Sequence, residues 1–174
     1  MKYLTRLALM SDCQDIKRFY MEALPHIDSG TTSWIPGVYP NFEDAQKAVQ
    51  NNEFFVCSDE EGRIVGSVIL NTDADKNYKQ VPWSNNCSER TLVVHTLITH
   101  PQMLNRGIAT QIIQFIKTFS AKNSVSSIHL DTLVNNMPAR KLYEKNDFSY
   151  VGRYDLPSFD NKGTDDCVFY EFQL

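Results

Sequence analysis

Several chemistries are excluded by what this chain does not contain. Its four cysteines, Cys13, Cys57, Cys87 and Cys167, are scattered and form no C-x-x-C pair, so the sequence carries no disulfide framework; free thiols in a reducing cytosol are the expectation. No His/Cys/Asp spacing suits a metal ion. There is no basic run, and the formal net charge is −4, which argues against a nucleic-acid surface. No apolar run approaches the ~20 residues of a membrane span. Met1-Lys2-Tyr3-Leu4 lacks the long apolar segment of a secretory signal, so a cytoplasmic location away from membranes is expected. No G-x-S-x-G elbow or Cys–His motif marks a nucleophilic hydrolase. Internal repeats and low-complexity tracts are missing too.

What is present fits one soluble globule. The chain has 174 residues, 42% of them hydrophobic and 11% aromatic, enough to bury a sizeable core as a single domain over 1–174. It is organised around Thr91–Lys122. Thr91–Thr99 is β-branched and apolar, as a buried strand should be, and His100-Pro101 ends it because Pro cannot donate to a sheet. From Ile108 the residues Ile112, Ile113, Phe115, Ile116 and Phe119 recur at helical spacing.

The rest of the chain alternates in the same way. Lys2–Met10 reads as a strand, and Ser11 or Asp12 then caps a helix that buries Ile16, Phe19, Tyr20 and Ala23. Pro25–Pro40 is a loop. A helix opens at Asn41 and runs to about Asn51. Glu53–Ser58 and Ile64–Asn71 are strands joined by a turn at Asp59–Gly62. Thr72–Arg90 reads as an insertion between strands. Ser127–Thr132 is a strand parallel to Thr91–Thr99, and a helix comes after it. Phe148–Gly152 and Cys167–Gln173 are strands, with a polar turn over Tyr154–Asp166. The order β-α-α-β-β-β-α-β-α-β-β predicts an α/β fold: a mixed sheet of about seven strands with helices on both faces.

The junction Leu104-Asn105-Arg106-Gly107-Ile108-Ala109 admits two readings. It is either a plain turn that starts a helix or a phosphate cradle. The first helical N–H groups have no internal partner, the helix dipole adds positive charge there, and Gly107 lets an anion approach the backbone.

A second stretch bears on that choice. Leu97-Ile98-Thr99-His100-Pro101 with Arg106-Gly107-Ile108-Ala109 matches the pattern L-x-[VT]-x-P…R-G-x-[GA]. Asn136-Met137-Pro138-Ala139-Arg140-Lys141-Leu142-Tyr143-Glu144-Lys145-Asn146-Asp147-Phe148 matches N-x-x-A-x-x-L-Y-E-K-x-G-F. With the two in this order the chain resembles the GNAT superfamily of acyl-CoA-dependent N-acetyltransferases. The departures are Leu104, where the family often has Arg or Gln, Ala109 for the last loop Gly, and Asp147 for the Gly before Phe148. Asp tolerates the left-handed cap conformation that such a position asks for.

The resemblance implies a fold with a splayed parallel strand pair at the coenzyme site, and acetyl-CoA as cosubstrate. It implies that Leu97, Ile98 and Thr99 offer backbone to the pantetheine arm. It also implies that Asn105, Arg106, Gly107, Ile108, Ala109 and Thr110 hold the pyrophosphate. Asn136 and Tyr143 are seven residues apart, about two helical turns or roughly 10 Å of rise, so they share a helix face. The resemblance gives Asn136 to the pantetheine and makes Tyr143 the general acid for the leaving thiolate; a core tyrosine is the plain alternative.

An acceptor amine is mostly protonated near neutral pH. His95, on the central strand, has the titration range to take that proton; a structural histidine fits its position as well. Asp131 is a weaker candidate, and His26, His100 and His129 show no partner pattern. Trp34, Tyr39, Tyr78 and Trp83 lie in the two long loops. Trp34, Tyr39 and Trp83 are candidates to line the acceptor site, and packing of the loops onto the sheet is the alternative. The expected partner is a small-molecule or peptide amine, and the expected assembly a monomer or homodimer. A different class of function, a non-catalytic acyl-CoA sensor on the same fold, would keep the Gly107 loop but would not need Tyr143.

Overall fold

In the computed structural model, which describes residues 2–84 and 90–174, β1 (Leu4–Leu7) leads to α1 (Cys13–Ala23), α2 (Phe42–Gln50), β2 (Phe54–Ser58) and β3 (Ile64–Asn71). Then come β4 (Thr91–Thr99), α3 (Ile108–Lys122), β5 (Ser127–Leu133), α4 (Met137–Lys145), β6 (Ser149–Pro157) and β7 (Thr164–Gln173). This is the order read from the sequence. The strands form one seven-stranded mixed sheet in the order β1-β2-β3-β4-β5-β7-β6. β4 and β5 run parallel, while β1–β2, β2–β3, β5–β7 and β6–β7 are antiparallel. Residues 85–89, with Cys87 and the end of the predicted insertion, lie outside the described residues.

The chain divides into two compact units. The first comprises the chain up to Ile27, Pro36–Leu70 and His95–Phe115. Here α1 buries Ile16, Phe19, Tyr20 and Ala23, as its spacing predicts. Its start differs from expectation. Asp12 makes no side-chain bond to α1; its carboxylate accepts the Leu9 N–H at 2.7 Å and two bonds from Arg6 at 2.7 and 3.0 Å. Those bonds hold the Asp12 carboxyl below the usual range, the Arg6 guanidinium contributing most. They also close Met10–Asp12 into a 3-10 turn, so β1 ends at Leu7 rather than Met10. α2 opens after Asn41 as predicted, and the Asn41 side chain caps it by accepting the Asp44 N–H at 2.8 Å.

Gly66 on β3 is needed for close approach. A Cβ there would meet Ile112 Cδ1 at 2.9 Å, the Ile98 carbonyl at 3.0 Å and Ile108 Cγ2 at 3.1 Å. The first turns of α3 therefore seat directly on backbone, with Ile108, Ile112 and Ile113 fully buried.

The second unit comprises Asp28–Ile35, Asn71–Val94 and Ile116–Leu174. Its centre is β7, paired with β5 from Ser127↔Gln173 to Leu133↔Cys167 and with β6 from Ser149↔Glu171 to Pro157↔Thr164. The predicted polar turn over Tyr154–Asp166 is thus mostly strand, and the turn itself spans 158–163. β6 alternates exposed and half-buried residues, and an outer strand wetted along one side is polar enough to read as a loop. Arg153 and Asp166 form an ion pair across it.

The 72–84 stretch belongs to this unit's core. Tyr78 and Val81 are buried with Val93, Cys167 and Phe169, and Trp83 packs against them. Burial of these apolar groups is what ties the insertion down. Cys13, Cys57 and Cys167 are free thiols. No helix among the described residues is long and apolar enough to cross a membrane.

Candidate functional site

Past β4 the chain makes a 3-10 turn at Pro101–Met103, where His100 Nδ1 accepts the Gln102 N–H at 3.3 Å. Two left-handed residues come next, Asn105 at φ 62° and Gly107 at φ 79°. The Gln111 N–H donates to the Gly107 carbonyl at 2.9 Å, which is the first α-type bond of α3. The N–H groups of Ile108, Ala109 and Thr110 therefore belong to the turn that has no intrahelical acceptor. Arg106 and Gly107 are exposed, whereas Ile108 is buried. A Cβ built on Gly107 meets nothing within 4 Å, so the loop is open where that side chain would stand. It borders a cleft of about 650 Å³ lined by Lys2, Tyr3, Glu60, Arg106, Gly107 and Gln111. Nothing local in the sequence around Lys2 and Tyr3, just before β1, or around Glu60 in the 59–62 turn points to residue 107.

Within β4, Thr96 has φ 51° and is buried. A left-handed backbone is a true outlier for a β-branched residue and costs on the order of 1–3 kcal/mol. The Tyr39 hydroxyl is hydrogen-bonded to Thr96 Oγ1. His95, Leu97 and Thr99 are half-buried and Ile98 is buried. The parallel pairing of β4 with β5 runs only from Thr91↔Ser127 to Val93↔His129, although both strands continue.

In the second unit α4 carries the other motif. Asn136 caps it: its Oδ1 accepts the Ala139 N–H at 3.2 Å, and its Nδ2 donates to Thr132 Oγ1 at 2.9 Å. The Asn136 side chain is thus fixed between α4 and β5. Tyr143 is 7% exposed. Its ring packs at 6.0 Å from Phe148 and 5.7 Å from Tyr170. Burial, followed by the negative charge of Asp131 and the neighbouring Tyr170 phenol, pushes its phenol above the ordinary range, which keeps it protonated. The Tyr78 hydroxyl donates to Asp131 Oδ1 at 2.6 Å.

At the far end of the helix Asp147 takes φ 64°, the conformation its place in the motif asks for. Lys117 Nζ reaches the Asn146 carbonyl at 2.5 Å and Asp147 Oδ2 at 3.2 Å, and it stands 3.9 Å from the Phe172 ring centroid.

His129, which showed no partner pattern in sequence, lies in a buried network. Its Nε2 is 3.1 Å from both Ser127 Oγ and Glu171 Oε1. Trp83 stacks on its ring at 3.6 Å and 11°, and the Ser84 N–H donates to Glu171 Oε2 at 3.1 Å. Burial lowers the imidazole pKa more than Glu171 raises it. Only the β5–β7 register, His129↔Glu171, could have revealed the pair. Trp83 also donates from Nε1 to the Tyr78 carbonyl at 2.9 Å. Trp34 is half-buried, its N–H donating to Thr32 Oγ1 at 3.2 Å.

Comparison with known proteins gives the family. The chain is 26% identical over 151 residues to an N-alpha-acetyltransferase of Sulfolobus acidocaldarius, covering 86% of this chain and 81% of the relative. A GNAT-family acetyltransferase of Streptococcus agalactiae superposes with a TM-score of 0.79 at 18% identity, covering 99% of this chain and 95% of that one. The Salmonella typhimurium protein yncA, solved with its cofactor acetyl-CoA, superposes with a TM-score of 0.72 at 13% identity, covering 100% and 95%. The model of the Acetyltransferase (GNAT) family matches residues 14–148. This chain belongs to that family of acyltransferase enzymes.

Proposed function

We propose that residues 1–174 form one N-acetyltransferase domain that moves an acetyl group from acetyl-CoA to a primary amine by direct transfer in a ternary complex. The observation that carries this reading is the start of α3. Left-handed Asn105 and Gly107 expose a turn of unpaired N–H groups to open space beside Arg106, a fit for a diphosphate. Asn105, Arg106, Gly107, Ile108, Ala109 and Thr110 hold that group, and Leu97, Ile98 and Thr99 present backbone to the pantetheine arm. Asn136 fixes the start of α4 against β5 and contributes to the same arm.

The thioester supplies an activated acyl carbon. The amine forms the new C–N bond there, and the C–S bond breaks. Tyr143 delivers its proton to the departing sulfur. An undisturbed thiol titrates near 8.5 and a phenol near 10, so this transfer helps only as charge builds on sulfur, and such catalysis is worth about 10²–10⁴ in rate. Burial keeps the phenol protonated but also makes it a weaker acid, so the transfer leans the more on charge building on sulfur. His95, half-buried on β4, takes the proton the amine gives up. Trp34, Tyr39 and Trp83 are the aromatic candidates for the acceptor side. Of these Trp83 has a prior engagement, stacked on His129.

The archaeal relative is named an N-alpha-acetyltransferase, so peptide α-amines head the list of acceptors and small-molecule amines come second. Free-thiol release from acetyl-CoA, measured across a panel of peptide N-termini and small primary amines, tests the reading. Turnover on at least one amine is expected. Coenzyme binding with no turnover on any amine would leave a sensor, and no binding of any CoA thioester would remove the reading altogether.

A further inference from the structure

Among the described residues, left-handed non-glycine positions fall on Asn52, Asn105, Ser124, Asp147 and Asn161, all in turns, and on Thr96, inside a strand. Asn, Asp and Ser can hydrogen-bond locally in that conformation and tolerate it. Thr cannot adopt it without strain, so something must hold it there. The hydroxyl of Tyr39 is bonded to Thr96 Oγ1, and Thr96 is 8% exposed, which keeps water from standing in for Tyr39. Tyr39 itself is delivered by a fixed segment. Asn41 Nδ2 donates to the Val38 carbonyl at 2.8 Å while Asn41 Oδ1 caps α2, so the residues on either side of Tyr39 are pinned to the helix start.

A left-handed residue inside a strand turns a peptide group out of the ladder and re-aims the residues after it. In β4 those residues are Leu97–Thr99, the segment given to the coenzyme, and the residue before the turn is His95. We propose that Tyr39 is a positioning residue for the coenzyme strand: bonded to Thr96, it holds the left-handed turn that presents the backbone of Leu97–Thr99 to the pantetheine arm. This rests on the acetyl-CoA reading of the site and gives one residue of the 36–41 segment a role other than touching the acceptor.

The test uses Tyr39→Phe, which removes one oxygen, with calorimetric binding of acetyl-CoA to the purified full chain as the readout. The dissociation constant is expected to rise about fivefold to tenfold, the loss of one well-buried hydrogen bond. Thr96→Gly in the Tyr39→Phe background is expected to bring it back to within about twofold of wild type, because glycine holds positive φ unaided. A crystal structure of Tyr39→Phe is expected to show residue 96 with negative φ. Unchanged acetyl-CoA affinity in a folded Tyr39→Phe protein would overturn the proposal. So would weakened affinity that Thr96→Gly does not rescue, or a raised acceptor KM with unchanged coenzyme affinity, since either would make the phenol a ligand contact. If the wild-type protein fails to bind acetyl-CoA, the functional reading falls and takes this one with it. If wild type binds and Tyr39→Phe binds equally well, only this one falls.

Discussion

The loop at Gly107 and the face around Tyr143 are built on opposite principles. At Gly107 the chain is exposed, two residues are left-handed, and a side chain added to the glycine would touch nothing. The loop offers backbone: oriented N–H groups and the positive end of a helix. Around Tyr143 the offer is side chain. The phenol is buried between Phe148 and Tyr170, and Asp131, Glu144 and Arg140 organise the polar groups nearby. A backbone site needs few residue identities, so its sequence signal is short and weak alone. A packed aromatic site needs many, and the long second motif is how that shows in a sequence. Substitutions should separate the two: at the loop they should strike binding and spare the fold, and at the aromatic face they should strike packing or chemistry according to the atom removed.

The largest expected effect is at the loop. Gly107→Glu puts bulk and negative charge where a diphosphate would sit, and affinity for acetyl-CoA should fall beyond about 100-fold, roughly 3 kcal/mol or more. The cost to folding should be only the left-handed strain, about 1–2 kcal/mol, because the new Cβ clashes with nothing. Calorimetry paired with a thermal melt checks both halves. A folded variant with wild-type affinity would mean the cradle lies elsewhere.

Next comes Tyr143→Phe, which deletes the proton donor and leaves the ring packing in place. Turnover should fall about 10²-fold while the KM for acetyl-CoA and the melting temperature stay near wild type. Loss of stability with turnover intact would make Tyr143 a core tyrosine and nothing more.

Much of this was legible in the sequence because it is periodic or punctuated. The order of strands and helices, the span of β4, the start of α3 at Ile108 and the opening of α2 at Asn41 come from apolar spacing, Gly and Asn. The left-handed Asp147 was legible too, from its place in the motif. The features that escaped depend on partners distant in the chain. Asp12 bonds back to Leu9 and to Arg6 instead of capping α1. β6 is polar because it is an outer strand, and its pairing with β7 is invisible to composition. The left-handed Thr96 is hydrogen-bonded through its side chain to Tyr39, 57 residues away. The His129–Glu171 pair needs a register between strands that lie 42 residues apart.

That pair yields a pH-dependent prediction of intermediate size. In the folded protein the His129 pKa is lowered, chiefly by burial, from an unfolded value of 6.5. Above pH 6.5 neither state holds the proton and the contribution to stability is complete. As pH falls below 6.5 toward the folded-state pKa, the unfolded chain takes up the proton first and stability is lost. Wild type should therefore begin to lose stability as pH falls below 6.5, before Asp12 and Asp166 start to titrate. His129→Gln keeps a donor for Glu171 but cannot titrate. It should cost about 1 kcal/mol at neutral pH and flatten the slope just below pH 6.5, as denaturant melts at stepped pH would show. An unchanged slope would place the acid sensitivity in another group.

The smallest expected effect is at Asp147, and it sets the two regions against each other at their most alike. Both motifs use a left-handed residue at a helix end, a glycine before α3 and an aspartate after α4. Asp147→Gly removes the steric cost of a Cβ at φ 64°, about 1 kcal/mol for a residue that tolerates the region well. Against this stand two losses. The unfolded chain gains freedom worth roughly 0.5–1 kcal/mol, and the ion pair with Lys117 disappears. Asp147 is 81% exposed in that pair, so its share is about a few tenths of a kcal/mol at most. The terms nearly cancel, and the stability read from a urea melt should move by less than about 0.5 kcal/mol in either direction. Lys117 keeps its hold on the Asn146 carbonyl and the Phe172 ring in the variant, so the helix end should stay in place. A loss above about 2 kcal/mol, far beyond an exposed ion pair, would mean that the Asp147 carboxylate anchors α4 as strongly as the aromatic packing does.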